Sequence, residues 1–213
     1  MAGSPDFTLL AAWRDGDDDA GQRLLRRHFT RLYLFFSNKV AGDVSDLVQQ
    51  TMLGCVEGRD RVKEDGSFKA FLLGVARHRL YDHYRARCRD PLQPIGETPM
   101  AKLGPSATSL VARRQNQRQL LAALRGIPLE LQIVLELHYW EELSTADLAQ
   151  VLGVPQGTVK SRLRRAREAL AASLAAISDG AVQDTTDYDL ERWARSIREE
   201  VHVQLGGAPE DPQ

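Results

Sequence analysis

Apolar residues recur every three or four positions along most of the chain, which is the spacing of amphipathic helices. No run of β-branched residues alternates with polar ones between turn signals, as it would in a half-buried strand. The pattern therefore predicts an all-α protein. The predicted helices cover about residues 6–14, 19–39, 43–58 and 67–87, and then 110–125, 128–140, 144–152 and 155–175.

A cluster of prolines divides this helical pattern into two. Pro91, Pro94, Pro99 and Pro105 fall within a short stretch that also contains glycine, serine and threonine. Proline fixes its own φ and moves the preceding residue out of helical geometry, so this stretch predicts an extended linker. We expect two small helical domains, at 1–90 and 108–175, joined by a linker at 91–107 and followed by a C-terminal extension at 176–213.

The net charge of −1 conceals an uneven distribution. Residues 176–213 contain 3 basic and 9 acidic residues, a net charge of −6, which leaves 25 basic and 20 acidic residues, or +5, in 1–175. A basic body with an acidic tail favours a polyanionic partner. The tail also contains a predicted amphipathic helix at 185–205, with Leu190 and Trp193 on its apolar face. It either packs on the protein's own domains or on a partner and tunes activity, or only extends the second domain.

The fourth predicted helix combines an apolar stripe with a basic face. The stripe comprises Phe68, Phe71, Leu72, Val75, Leu80 and Tyr84, and the opposite face carries Lys69, Arg77, Arg79, Arg85 and Arg87. Cations for phosphates and rings for unstacked bases are what a site for single-stranded nucleic acid requires. Taken alone, however, the pattern favours an ordinary core stripe with a solvated opposite face.

The second half predicts a helix-turn-helix. Ser144 and Asp147 have the spacing of a capping box, Gly153 suits a left-handed turn, and Pro155 restarts a helix. That last helix buries a stripe from Val159 to Leu170. Its other faces carry the residues that we expect to contact base edges and phosphates: Thr158, Lys160, Ser161, Arg162, Arg164, Arg165 and Arg167.

These residues resemble the sigma-70 family of bacterial RNA polymerase sigma factors, of the extracytoplasmic-function type. Residues 124–170 are similar to region 4, through the Ile127–Pro128 opening and the GTVKSRLRRAR segment at 157–167. DLVQQTML at 46–53 resembles region 2.2, and 67–87 resembles regions 2.3 and 2.4. Two motifs in the right order are more specific than either one alone.

The resemblance implies a function for each motif. The helix that holds 46–53 would bind the β′ coiled coil of core RNA polymerase through Asp46, Leu47, Gln49 and Gln50, with Leu47 partly buried. The fourth helix, with the loop at 58–66, would read and melt the −10 element of the promoter; its expected DNA-binding residues are Lys69, Arg77, His78 and Arg79. The last helix would read the −35 element as duplex.

Three positions depart from the family pattern. Gln50 stands where the family usually has Glu, which weakens one charged contact with the core enzyme. Phe71 replaces a common Trp, and His78 a common Asn. The departures leave the promoter sequence open.

The expected partners are core polymerase, through its β′ coiled coil and β flap, and promoter DNA. The sequence leaves open whether an anti-sigma protein binds. With Cys55 and Cys88 as its only cysteines and no long apolar run or secretory signal, the chain is expected to be cytoplasmic, without membrane insertion. The alternative function is a stand-alone helix-turn-helix regulator, which would leave 46–53 and 67–87 unexplained.

An enzyme is not expected, nor are a metal or a cofactor. His78, Asp82 and His83 share a helix, but Arg77 and Arg79 would repel a cation there. The acidic run Asp17–Asp19 is better explained as a loop and helix N-terminus.

Overall fold

The helical class is confirmed throughout the part of the chain that can be described. The computed structural model describes residues 5–62, 66–87 and 115–177, together with Leu190, Glu191, Ala194 and Arg195; side chains at 115–118 are excepted. Within these ranges the regular elements are all helical. The proline-rich linker, Cys88, Trp193 and most of the acidic extension lie outside the described residues.

The N-terminal unit consists of four helices close to their predicted bounds. They are α1 (Pro5–Arg14), α2 (Asp18–Ser37), α3 (Ser45–Gly58) and α4 (Phe68–Arg87). Asp17 caps α2, because its carboxylate accepts a hydrogen bond from the Ala20 amide at 3.0 Å. The acidic run therefore stabilises the positive end of a helix dipole, as the sequence indicated.

The C-terminal unit also has four helices. They are α5 (Gln115–Arg125), α6 (Leu129–Leu135), α7 (Thr145–Leu152) and α8 (Gln156–Ile177). The single helix predicted at 128–140 changes into a π-helical turn over Glu136–Trp140. The wider turn allows the Leu143 amide to reach back to the carbonyl of Leu137, at 3.0 Å.

The structure describes residues 58–62 and 66 of the loop predicted at 58–66. Arg59–Arg61 form a short 3-10 turn, and Val62 is buried. The guanidinium of Arg14 donates to the carbonyls of Arg59, at 2.7 Å, and Val62, at 2.5 Å. Arg14 of α1 thus satisfies two backbone carbonyls of this segment.

Helix α4 is buried on two sides, whereas the sequence predicted one. Phe68, Leu72 and Leu80 are buried as expected, but Leu73 and Tyr81 are buried as well. The reason is that α4 packs against α3 on one side and against α7 of the C-terminal unit on the other. The predicted solvated basic face is thus partly covered.

The apolar core does not divide at the linker. One cluster joins buried residues of α1–α4 with others from the C-terminal unit, including Ile133, Leu148 and Leu152. A second cluster lies within the C-terminal unit, where Leu190 and Ala194 of the extension pack with residues such as Leu124 and Leu170. The two halves therefore share one hydrophobic core. Leu190 and Ala194 of the acidic extension belong to the second cluster, within the C-terminal unit.

Charged side chains also cross the boundary between the two units. Lys39, just after α2, is completely buried and forms an ion pair with Glu136, which is 5% exposed. Its ammonium also donates to the Phe35 carbonyl at 2.8 Å. Nearby, Glu141 pairs with Arg31 through its carboxylate and accepts a 2.5 Å hydrogen bond from Lys69 at its backbone carbonyl.

We predict that Gly21→Ala destabilises the N-terminal unit. A Cβ at this position would lie 2.4 Å from Nε1 of Trp13, a buried ring over which the Arg59 guanidinium sits at 5.2 Å. Such overpacking typically costs about 1–3 kcal/mol. Thermal unfolding followed by circular dichroism should show a lower melting temperature.

Gly74→Ala in α4 is the matched control. No atom lies within 4 Å of its added Cβ, so the helix should gain stability, by about 0.5–1 kcal/mol. Equal melting temperatures for Gly21→Ala and the wild type would contradict the close packing of α1 on α2.

Candidate nucleic-acid interface

The helix-turn-helix has the local geometry that its sequence predicted. The Ser144 hydroxyl accepts from the Asp147 amide at 3.1 Å, and the Asp147 carboxylate accepts from the Ser144 amide, which completes a capping box at the start of α7. Gly153 ends α7 with φ of 66°, a left-handed conformation that glycine adopts without strain. The turn therefore fixes the direction in which α8 leaves.

Helix α8 buries one stripe and exposes its polar residues. Val159, Leu163, Ala166 and Leu170 are buried, as predicted. Of the expected DNA-binding residues, Lys160, Ser161, Arg164 and Arg165 are exposed, whereas Thr158 and Arg162 are half-buried. Most of the predicted set therefore shares an accessible surface near the N-terminal half of the helix, where a recognition helix meets base edges.

Two arginines of α8 have partners within the protein. Arg167 donates to the Tyr139 hydroxyl at 3.2 Å, which ties the middle of α8 to the π-helical turn. Arg164 pairs with Glu168 at 3.1 Å on the exposed surface. Since exposed pairs contribute little, Arg164 can exchange Glu168 for a phosphate at small cost.

The four predicted DNA-binding residues of α4 fall into two groups. His78 is exposed, and Arg79 is half-buried next to it on the side of α4 that faces α3. Lys69 and Arg77 lie on the side that faces the C-terminal unit. Lys69 contacts Glu141 there, and the Arg77 guanidinium lies 4.8 Å from the centre of the Tyr81 ring.

An open cleft of about 320 Å³ lies between α3 and α4 at the surface. It is lined by Gly54, Glu57, Gly58, Arg61, Val75, His78 and Arg79. At its floor the helices approach closely, since a Cβ on Gly58 would lie 2.8 Å from Cζ of Phe71. The cleft combines an apolar floor with two arginines and a histidine, a combination suited to a flat base and its phosphate.

The predicted polymerase-binding residues of α3 do not all reach the surface. Asp46, Gln49 and Gln50 are exposed, but Leu47 is buried and belongs to the core. The exposed face continues instead through Leu53, which is 55% exposed, and Val56, which is 37% exposed. Sequence reasoning missed these two, although their spacings of four and seven residues from Gln49 place them on the same face.

The described residues hold no group of three or more histidine, cysteine or acidic side chains placed to bind a metal. Among those same residues, no helix has the length and apolar character required to cross a membrane.

Comparisons with known proteins agree with both halves of this arrangement. The family described as Sigma-70 region 2 matches residues 20–89, and the family described as Sigma-70, region 4 matches residues 117–170. The first covers α2–α4, and the second covers α5, α6, the helix-turn-helix and most of α8.

Similar curated proteins are named as RNA polymerase sigma factors. The ECF RNA polymerase sigma factor SigM of Mycobacterium tuberculosis is 29% identical over 178 residues, which are 82% of this chain and 87% of that protein. The RNA polymerase sigma factor HrpL of Pseudomonas syringae pv. syringae is 31% identical over 61% of this chain and 72% of its own length. The ECF RNA polymerase sigma-E factor of Escherichia coli is 25% identical over 78% and 92%, respectively.

Both domain matches and these relatives lead to one assignment: the chain belongs to the sigma-70 family of RNA polymerase sigma factors, and within it to the extracytoplasmic-function type.

Proposed function

We propose that this sigma factor recruits core RNA polymerase to promoters by presenting three surfaces, one for the enzyme and two for DNA. The observation that carries the proposal is that one chain combines two family regions with a suitable surface on each. The region 4 match includes the exposed basic face of α8, and the region 2 match includes the α3–α4 cleft. A sigma factor acts with the polymerase and has no enzymatic activity of its own. Since it would act on bacterial promoters, we expect it in the cytoplasm.

Helix α8 is proposed to read the −35 element in the major groove. Exposed Lys160 and Ser161, with half-buried Arg162 and Thr158, lie in its first two turns, where a recognition helix reaches base edges. Arg164 and Arg165 lie one turn later and suit phosphates. The Arg167–Tyr139 contact holds the helix in position beneath them.

The α3–α4 cleft is proposed to hold an unstacked base of the −10 element. Unstacking one base costs a few kcal/mol, and stacking and phosphate contacts offset this cost. His78 can stack on a base at the rim, while Arg61 and Arg79 neutralise the backbone. Glu57, on the opposite wall, offers an acceptor for an exocyclic amine.

The exposed face of α3 is proposed to bind the β′ coiled coil. Asp46, Gln49 and Gln50 provide polar contacts, while Leu53 and Val56 provide an apolar centre. An apolar patch within a polar rim is the usual composition of a specific interface. Region 4 would contact the β flap.

Reconstitution with core polymerase tests the proposed function directly. The purified chain, added to core enzyme and a promoter fragment selected by the resulting holoenzyme, should give run-off transcripts from one start site. A stand-alone regulator would bind its operator without core enzyme and yield no transcript; the comparisons do not favour that alternative.

We predict that Arg165→Ala weakens binding of the holoenzyme to a −35 fragment and reduces its salt dependence. Removing one phosphate contact should lower the slope of log K against log[salt] by about 1. Filter binding at several salt concentrations measures both quantities.

Arg23→Ala is the control, since it removes the same charge from α2, where Asp19 already pairs with it at 3.3 Å. If both variants changed the slope equally, α8 would lose its assigned role.

We predict that Leu53→Asp weakens binding to core polymerase by at least about tenfold, because it places a charge at the centre of the proposed apolar patch. Fluorescence anisotropy with labelled sigma factor provides the affinity. Phe29→Asp makes the same change at a residue of α2 that is 51% exposed, and should leave the affinity near that of the wild type. If Phe29→Asp weakened binding and Leu53→Asp did not, the polymerase-binding surface would lie on α2 instead of α3.

A further inference from the structure

We propose that the C-terminal extension positions the recognition helix of region 4, with Leu190 as the positioning residue. The consequence for promoter binding rests on the proposed function, whereas the packing of the extension does not. Three features support this role: the burial of apolar side chains from an acidic segment, the elements that they pack against, and a contact that continues from there to α8.

The extension buries two side chains although its composition is strongly polar. Residues 176–213 carry a net charge of −6, yet Leu190 is 2% exposed and Ala194 is fully buried. The two residues are helical and four positions apart, so they lie on the same helix face. Both lie beyond residue 170, where the match to region 4 ends. Their packing is therefore an addition of this chain to the part of region 4 that the family shares.

These two side chains belong to a buried cluster that draws on three elements of region 4. Among its members are Leu120, Ala123 and Leu124 of α5, Tyr139 of the π-helical turn, and Ala166, Leu170 and Leu174 of α8. The extension therefore packs where α8 meets the rest of its domain. Since a closely packed interior resists displacement of its parts, the extension limits how far α8 can tilt.

A contact continues from the extension to the DNA-facing part of α8. Tyr139 is buried and lines a cleft of about 420 Å³ together with Glu191 and Arg195 of the extension. The hydroxyl of the same tyrosine accepts a hydrogen bond from Arg167 at 3.2 Å. Arg167 lies two positions after Arg165, which is proposed to bind a phosphate. A shift of Tyr139 would therefore displace the surface of α8 that meets DNA.

The same cleft reaches the start of the helix-turn-helix. Ser144, the N-cap of α7, also lines it. The next residue, Thr145, accepts a 2.6 Å hydrogen bond from the side-chain amide of Gln156, the first residue of α8. The extension thus lies beside two of the contacts that fix α8, one at its first turn and one at Arg167.

The charges of the cleft do not favour a direct contact of the extension with DNA. Arg195 is exposed, but Glu142 and Glu191 line the same cleft. Two carboxylates beside one guanidinium leave the cleft without the net positive charge that phosphate binding requires. The positioning role needs only the apolar packing.

Leu190→Gln tests this role in the full chain, because it adds no charge but places a polar amide in an apolar cluster. Holoenzyme made with this variant would be titrated against two duplexes of equal length, one with the −35 element of the selected promoter and one with that element scrambled. We expect the ratio of the two affinities to fall about tenfold, the discrimination that one well-placed base contact supplies. Binding to the scrambled duplex should change little. An unchanged ratio would overturn the proposal.

Ile177→Gln is the matched control, since it makes the same kind of change at a residue of α8 that is 43% exposed. It should leave the ratio at the wild-type value. Leu190→Met keeps an apolar side chain of similar volume and should also retain the ratio. A loss of discrimination in all three variants would show that the ratio does not depend on the packing of Leu190, and would end the proposal.

Hydrogen exchange followed by mass spectrometry separates positioning from unfolding. In Leu190→Gln the amides of α5 and α8 should exchange faster than in the wild type, while those of α2 keep their rates. Wild-type rates in α8 would show that Leu190 does not hold this helix, and would refute its role. If Leu190→Gln unfolded region 4, binding to both duplexes would fall together, and Leu190→Ala would decide. A lower ratio in that variant would support positioning, and an equal loss on both duplexes would exclude it.

Failure of the proposed function would look different. The wild-type holoenzyme would then show no preference for the −35 duplex, while the exchange of α8 would still respond to Leu190→Gln.

Discussion

The arrangement of the two halves depends on the burial of one ammonium group. Lys39 has no exposed surface, and its positive charge is compensated by Glu136, which lies 97 positions further along the chain. A buried charge without a partner costs several kcal/mol, whereas a buried pair need not stabilise more than apolar side chains would. Because each charge needs the other when buried, the pair allows this packing only when both halves are present and correctly placed. The surrounding apolar residues then form one core across the boundary.

The surfaces proposed to read DNA follow from how the helices meet. Gly54 and Gly58 let α3 approach α4 closely, which creates a cleft with arginines at its rim. The capping box and Gly153 set the angle at which α8 leaves the turn, and Arg167 fixes it to the π-helical turn. Helices therefore form the framework of both surfaces, and the Arg59–Arg61 turn adds Arg61 to the cleft.

Local features of this fold could be predicted from the sequence, because their causes are local. The helix periodicity, the Ser144 capping box and the turn at Gly153 each depend on residues within about one helical turn of one another. The exposed residues of α8 could be identified for the same reason. The burial of Leu47 could not be distinguished from partial exposure, since polar Asp46 precedes it, apolar Val48 follows it and polar Gln50 lies about one turn later.

Features that arise between the halves could not be predicted. Lys39 follows a helix and resembles an ordinary solvated cation, while Glu136 interrupts an apolar run with no visible partner nearby. The second buried side of α4 depends on α7, which lies across the linker. Hydrophobic periodicity describes one packing partner at a time, so it identified the stripe facing α2 and α3 and assigned the rest to solvent.

Mapping both domains on one promoter tests the central claim that the two helical units read separate elements of the same promoter. Photoreactive side chains at Arg79 and at Lys160, in separate holoenzymes, would be crosslinked to the same promoter DNA and the positions read by primer extension. The account predicts two crosslinked segments about 25 base pairs apart, at the −10 and −35 elements. Crosslinks that overlap within a few base pairs would show that the domains stay together on DNA, and would contradict it.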